Sequence, residues 1–199
     1  MEPTENKKQV TNSIEGFLES AFSCIEENKF FQAREIFQQL LQQIPEQPNS
    51  LFGLGIISFR CNDRNEAKKI FLKILKQYPD SIGPLEYMAL ILFDEHCLDQ
   101  ATTYASKLVK IAPDNAIYHR NLAYLYQKQK KYPESIEHYA LALKIKPIYT
   151  ECLVNLGFIY KTQKKFDPAK KYYTHAITIL PSSFESLIGL GDIENTEQG

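Results

Sequence analysis

Histidine, cysteine and carboxylate side chains are the groups that could ligate a metal or carry catalysis, and in this 199-residue chain their spacing builds neither kind of site. His96, His119, His138 and His175 have no partner at i, i+4, no HExxH setting and no carboxylate arrangement of catalytic type. His96 stands beside Cys97, but adjacent residues point in different directions, so a metal there would need distant ligands that the sequence does not show. Cys24, Cys61, Cys97 and Cys152 are at least 36 residues apart and form no CxxC pair, which reads as free thiols in a reducing compartment. There is no Gly-rich phosphate loop and no GxSxG. The expectation is a chain with no catalytic residue, no metal and no cofactor.

What remains is the chemistry of recognition. An asparagine amide both donates and accepts, so a column of asparagines can grip an extended peptide backbone whatever its sequence, and Asn121 and Asn155 lie 34 residues apart. Arg120, Tyr124, Lys128, Phe158 and Lys161 surround them in sequence. Upstream, Leu18, Phe22 and Ile25, then Phe52, Ile56 and Phe59, then Tyr87, Leu90 and Phe93 recur at three- and four-residue spacings, which place each trio on one helical face.

Those residues are positioned by a repeat. Pro45, Pro79, Pro113, Pro147 and Pro181 follow one another at intervals of 34 and divide the chain into windows 14–47, 48–81, 82–115, 116–149 and 150–183. The eighth place of each window is small (Ala21, Gly55, Ala89, Ala123, Gly157), and so is the place twelve residues later (Ala33, Ala67, Ala101, Ser135, Ala169). Small residues at matching heights on two helices let the axes approach, so each window predicts an antiparallel helical hairpin. Asn62 or Asp63 before Glu66, and Ser182 before Glu185, carry the N-cap pattern. The recurring proline ends each second helix, because it pushes the residue before it out of helical geometry.

Leu153, Leu156, Gly157, Tyr160, Ala169, Tyr173, Ala176 and Pro181 match the tetratricopeptide pattern almost place for place, and Leu122, Ala123, Tyr126, Ser135, Tyr139, Ala142 and Pro147 are nearly as close. The chain resembles that family over roughly residues 14–183. Ser20 and Ala105 depart from it, where leucine and an aromatic are usual. The resemblance implies an all-α fold: a right-handed superhelical solenoid of five hairpins, with residues 184–199 as a capping helix or an incomplete sixth repeat and residues 1–13 as a polar N-terminal tail.

It also implies that the first helices line a concave groove for a protein or peptide partner. The upstream trios then make an apolar wall for an amphipathic helix, an apolar peptide or another copy of the chain, unless curvature buries them within the fold. The downstream face, with Arg120, Asn121, Tyr124, Lys128, Asn155, Phe158 and Lys161, is polar, and its two asparagines resemble the ladder of the repeat domain of O-GlcNAc transferases. The lysine, asparagine and arginine clamp by which some members hold chaperone C-termini is missing its basic residues.

A net charge of -1 gives no field that would draw in nucleic acid or an anionic membrane, although the first window carries -4 and the fourth +4. With a polar start and no membrane-length apolar run, the expected location is cytoplasmic. The expected function is a non-catalytic interaction scaffold binding a helical or extended segment. Its rivals are a substrate-recruiting region of a larger enzyme, such as a glycosyltransferase or methyltransferase, and a homo-oligomeric module that self-associates through the apolar groove.

Overall fold

The computed structural model describes residues 3–198, with side chains from residue 14 to residue 197. Among these residues the chain forms eleven helices and no strand: α1 (Pro3–Glu26), α2 (Phe30–Gln43), α3 (Pro48–Arg60), α4 (Arg64–Gln77), α5 (Ile82–Asp94), α6 (Leu98–Ile111), α7 (Ala116–Lys128), α8 (Tyr132–Ile145), α9 (Thr150–Thr162), α10 (Phe166–Ile179) and α11 (Phe184–Gln198). The expected window starts Pro48, Ile82, Ala116 and Thr150 are the first residues of α3, α5, α7 and α9. Helix α1 begins ahead of the expected start at Ile14, and the side chains of the expected tail, residues 1–13, lie outside the described residues.

The chain packs as two compact units, residues 1–91 and 92–199, divided within α5. In the first, α1 packs on α2 and α3 on α4; in the second, α7 packs on α8 and α9 on α10.

One turn recurs in every repeat. Asn28, Asn62, His96, Lys130 and Lys164, spaced by 34, hold φ between 58° and 65°. Each following N–H donates to the carbonyl five residues back, as in Lys29 to Cys24 at 2.7 Å, Asp63 to Ser58 at 2.8 Å and Lys131 to Tyr126 at 2.9 Å. That is the Schellman closure, which satisfies the last carbonyls of the first helix and fixes where the second departs. None of the five is glycine, and in the last three repeats the residue gives no sign of a helix end. At the other end, Ile44, Tyr78, Ala112, Lys146 and Leu180, each before a recurring proline, turn to φ between -126° and -133°, as the ring of the next residue requires.

Asp63 caps α4, accepting from the Glu66 N–H at 3.0 Å, as expected. For α11 the expectation shifts by one residue. The helix starts at Phe184, so Ser183 rather than Ser182 precedes it, and the buried Ser183 hydroxyl pairs with that of Ser186 at 2.8 Å.

The core repeats one joint, an aromatic ring laid on a glycine. A Cβ added at Gly55 would lie 2.5 Å from the ring of Phe71, one at Gly53 would lie 2.1 Å from Phe37, and one at Gly83 would lie 2.4 Å from Phe52. In the second unit the ring of Tyr173 packs on two glycines, 2.7 Å from such an atom at Gly157 and 2.4 Å from one at Gly189. The small residues of the second helices, Ala33, Ala67, Ala101, Ser135 and Ala169, are fully buried, and the Ser135 hydroxyl donates to the Ala123 carbonyl at 2.8 Å.

Candidate partner-binding surface

In the first unit the expected apolar wall is largely core. Leu18, Ile25 and Ile56 are buried with Ala21, Ala33, Phe37, Leu40 and Ile57, which corrects their reading as an exposed face. The reason is that α1 packs against α3 as well as against α2, so the stripe facing away from its own hairpin partner faces the next first helix. Phe22 is half-buried and meets the edge of Phe37 at 5.3 Å. Tyr87 stacks on Phe71 at 5.1 Å and takes the edges of Phe52 at 5.8 Å and Phe59 at 5.2 Å. Of the nine apolar residues, Leu90 is the exposed one. Phe93, in the second unit, is half-buried beside Tyr124 at 5.6 Å.

A cleft of about 460 Å³ opens where α1 meets α3, lined by Glu15, Leu18, Glu19, Phe22, Ser23, Glu26 and Asn49. Leu18 and Phe22 supply its apolar surface, three exposed carboxylates rim it, and none of the described residues lining it is basic. The carboxylates were legible in the sequence as the charge of the first window; their convergence on a cleft was not.

In the second unit much of the expected basic face is engaged within the fold. The Arg120 Nε donates to the Tyr149 hydroxyl at 3.1 Å, and its Nη1 pairs with Glu151 at 3.3 Å. Lys161 pairs with Asp192 of α11 at 2.7 Å. Lys128 lies 4.9 Å over the ring of Tyr124. The two asparagines differ as well: Asn155 donates to the Glu151 carbonyl one turn back at 2.9 Å, while Asn121 is exposed. Phe158 is exposed beside them in sequence.

Two histidines that show no relation in the sequence come together here. The Nδ1 atoms of His119 and His138 are 3.0 Å apart, and the Nε2 of His119 is 2.9 Å from the Pro113 carbonyl. A carbonyl only accepts, so His119 carries its proton on Nε2, and its bare Nδ1 accepts from the Nδ1–H of His138. His119 is buried at the place that leucine holds in the second, third and fifth repeats, and Tyr126 stacks on His138 at 5.7 Å.

Burial first, and the neighbouring His119 second, hold the His138 imidazole below its ordinary value, while Glu137 opposes them weakly. Because the folded value lies below the unfolded one, the unfolded chain binds more protons once pH falls below about 6.5. Stability present above that pH is therefore lost progressively as pH drops from there toward the folded value. Urea unfolding at pH 7.5 and 5.5 should show a lower midpoint at the acid pH, and His138→Gln should shrink the difference.

Cys152 is fully buried, and burial pushes its thiol up to about 12, so it is not a thiolate at neutral pH. Among the described residues no three His, Cys, Asp or Glu side chains are grouped to hold a metal ion, and no helix is long and apolar enough to cross a membrane.

Helical hairpins in fixed 34-residue register, each closed by the same turn, define an all-α helical-repeat solenoid. Two family models described as tetratricopeptide repeat match residues 25–84 and 114–182, together more than half of the chain. The chain belongs to the tetratricopeptide-repeat family.

No curated protein sequence matches it. Among solved structures it is similar to MamA from Desulfovibrio magneticus RS-1, with TM-score 0.76 and 18% identity over 86% of this chain and 97% of that one. It is similar to YrrB, described as a tetratricopeptide protein with an unusual peptide-binding site, with TM-score 0.76 and 17% identity over 89% and 95%. A tetratricopeptide protein from Parabacteroides merdae aligns with TM-score 0.78 and 17% identity over 92% of this chain and 72% of its own. At these identities the likeness concerns the fold.

Proposed function

We propose that this chain is a non-catalytic protein-interaction module, and that its first unit holds a positively charged amphipathic segment of a partner in the cleft between α1 and α3. The observation that carries this reading is the cleft itself, in which the apolar surface of Leu18 and Phe22 lies under a rim formed by Glu15, Glu19 and Glu26. A segment with apolar side chains on one face and lysine or arginine beside them complements both features. The peptide-binding site described for YrrB supports the class of function, though not this location.

Phe52→Glu would not test the cleft, because that ring is packed among Phe71, Tyr87 and Gly83. Charge reversal at the exposed rim does. Fluorescence anisotropy with labelled basic and acidic amphipathic peptides of equal hydrophobicity should give at least ~10-fold tighter binding of the basic one, since each exposed charge pair contributes up to about 1 kcal/mol. Glu15→Lys with Glu19→Lys and Glu26→Lys should abolish that preference while leaving helical circular dichroism intact. Equal affinity of the wild type for both peptides would sink the proposal.

A further inference from the structure

The rim carboxylates of the α1–α3 cleft are set out at a spacing that one kind of backbone matches. Glu15, Glu19 and Glu26 all lie on α1, at i, i+4 and i+11. At about 100° and about 1.5 Å per residue they fall within about 40° of one another around the helix, with gaps of about 6 Å and about 10.5 Å along it. Leu18 at i+3 and Phe22 at i+7 lie to one side of that row, so the apolar surface runs beside the charges.

A partner helix laid along α1 climbs at the same rate. Lysine or arginine at i, i+4 and i+11 of a parallel helix, or at i, i+7 and i+11 of an antiparallel one, stands level with the three carboxylates and on a single face. An extended segment climbs about 3.3 Å per residue, so the two gaps correspond to about two and about three residues. Successive side chains of a strand point to opposite faces, and the odd step turns the third basic residue away from the cleft.

The polar side chains of the cleft favour the same occupant. Every residue of an extended segment carries a carbonyl and an N–H that the segment cannot pair for itself, whereas a helix pairs its own. Glu15, Glu19 and Glu26 only accept when ionised, which leaves the Ser23 hydroxyl and the Asn49 amide as the side-chain donors lining the cleft. The length of the row would hold about five extended residues, more carbonyls than those two groups can meet.

We infer that the segment held between α1 and α3 is an α-helix lying along α1, with three basic residues spaced to meet Glu15, Glu19 and Glu26 and an apolar strip resting on Leu18 and Phe22. This rests on the cleft being the partner site, and it adds the conformation and the register of what occupies it.

Two labelled peptides of equal length and composition provide the test. One carries lysines at i, i+4, i+7 and i+11 with leucines beside them, a helical pattern that serves either direction; the other alternates lysine and leucine, a strand pattern. Fluorescence anisotropy with the full chain should give at least ~5-fold tighter binding of the helical pattern, the order of one exposed ion pair. Glu26→Gln should weaken the helical-pattern peptide by about 2–5-fold and leave the alternating one, which reaches only Glu15 and Glu19, unchanged. With the helical-pattern peptide carrying carbon-13, its Cα chemical shifts should move to helical values when the unlabelled chain is added. Strand or random-coil shifts in the complex, or equal affinity for the two patterns while both bind more tightly than an acidic peptide, would overturn this inference and leave the cleft as the partner site. No preference for basic over acidic peptides in either pattern would overturn both.

Discussion

Phe71→Ala should lower the stability of the first unit by about 3–5 kcal/mol, the range for truncating a fully buried phenylalanine. Phe71 has no exposed surface, stacks on Tyr87 at 5.1 Å, lies 6.0 Å from Phe52 and covers Gly55. Its removal costs the transfer of the ring and leaves a cavity that cannot collapse, because its neighbours are rings held by one another. Urea denaturation followed by helical circular dichroism measures the loss. Phe71→Leu, which keeps most of the volume, should cost less than half as much. Equal losses for both would mean that the aromatic stacking, rather than the filled volume, carries the stability.

Gly189→Ala should destabilise the second unit by about 1–3 kcal/mol, the usual cost of overpacking. That direction opposes helix propensity, which favours alanine over glycine by about 1 kcal/mol in a helix interior. The steric effect wins because the new methyl carbon would lie 2.4 Å from the Tyr173 ring, and the ring is also packed closely on Gly157, which limits how far it can shift. Gly191→Ala, two residues along the same helix and facing open space, should instead stabilise the folded monomer by about 0.5–1 kcal/mol. Thermal melts of the two variants at low concentration should therefore move in opposite directions from the wild type. Movement in the same direction would show that helix propensity, not the Tyr173 joint, governs both sites.

The packing around Phe71 also limits which residues of the first unit are free to meet a partner. Tyr87 and Phe52 belong to that packing, so their aromatic character serves stability before it serves binding. The rim carboxylates Glu15, Glu19 and Glu26 are exposed and can be reversed in charge without disturbing it.

The period, the ends of the second helices and the small positions of the core were legible in the amino-acid order alone. They follow from local chemistry: a proline bars the helix conformation to its neighbour, and a small residue at a fixed place permits a close crossing. The windows counted back from the prolines begin at Pro48, Ile82, Ala116 and Thr150, which are also the first residues of α3, α5, α7 and α9. The left-handed turns at His96, Lys130 and Lys164 were not legible, because neither lysine nor histidine marks that conformation and the closure comes from hydrogen bonds made once the helix ends are in place.

Which apolar faces are buried emerged only from the packed chain. Leu18, Ile25 and Ile56 look like a free stripe when one hairpin is considered alone; the packing of α1 against α3 covers most of it and leaves Leu18 only a small surface at the floor of the cleft. The same holds for charge and for hydrogen bonds, since Arg120 and Lys161 find partners in neighbouring helices and His119 finds His138 nineteen residues away. A repeat writes its own fold in each window, but burial is a property of the neighbour, and α11 presents a face whose neighbour is not among the described residues.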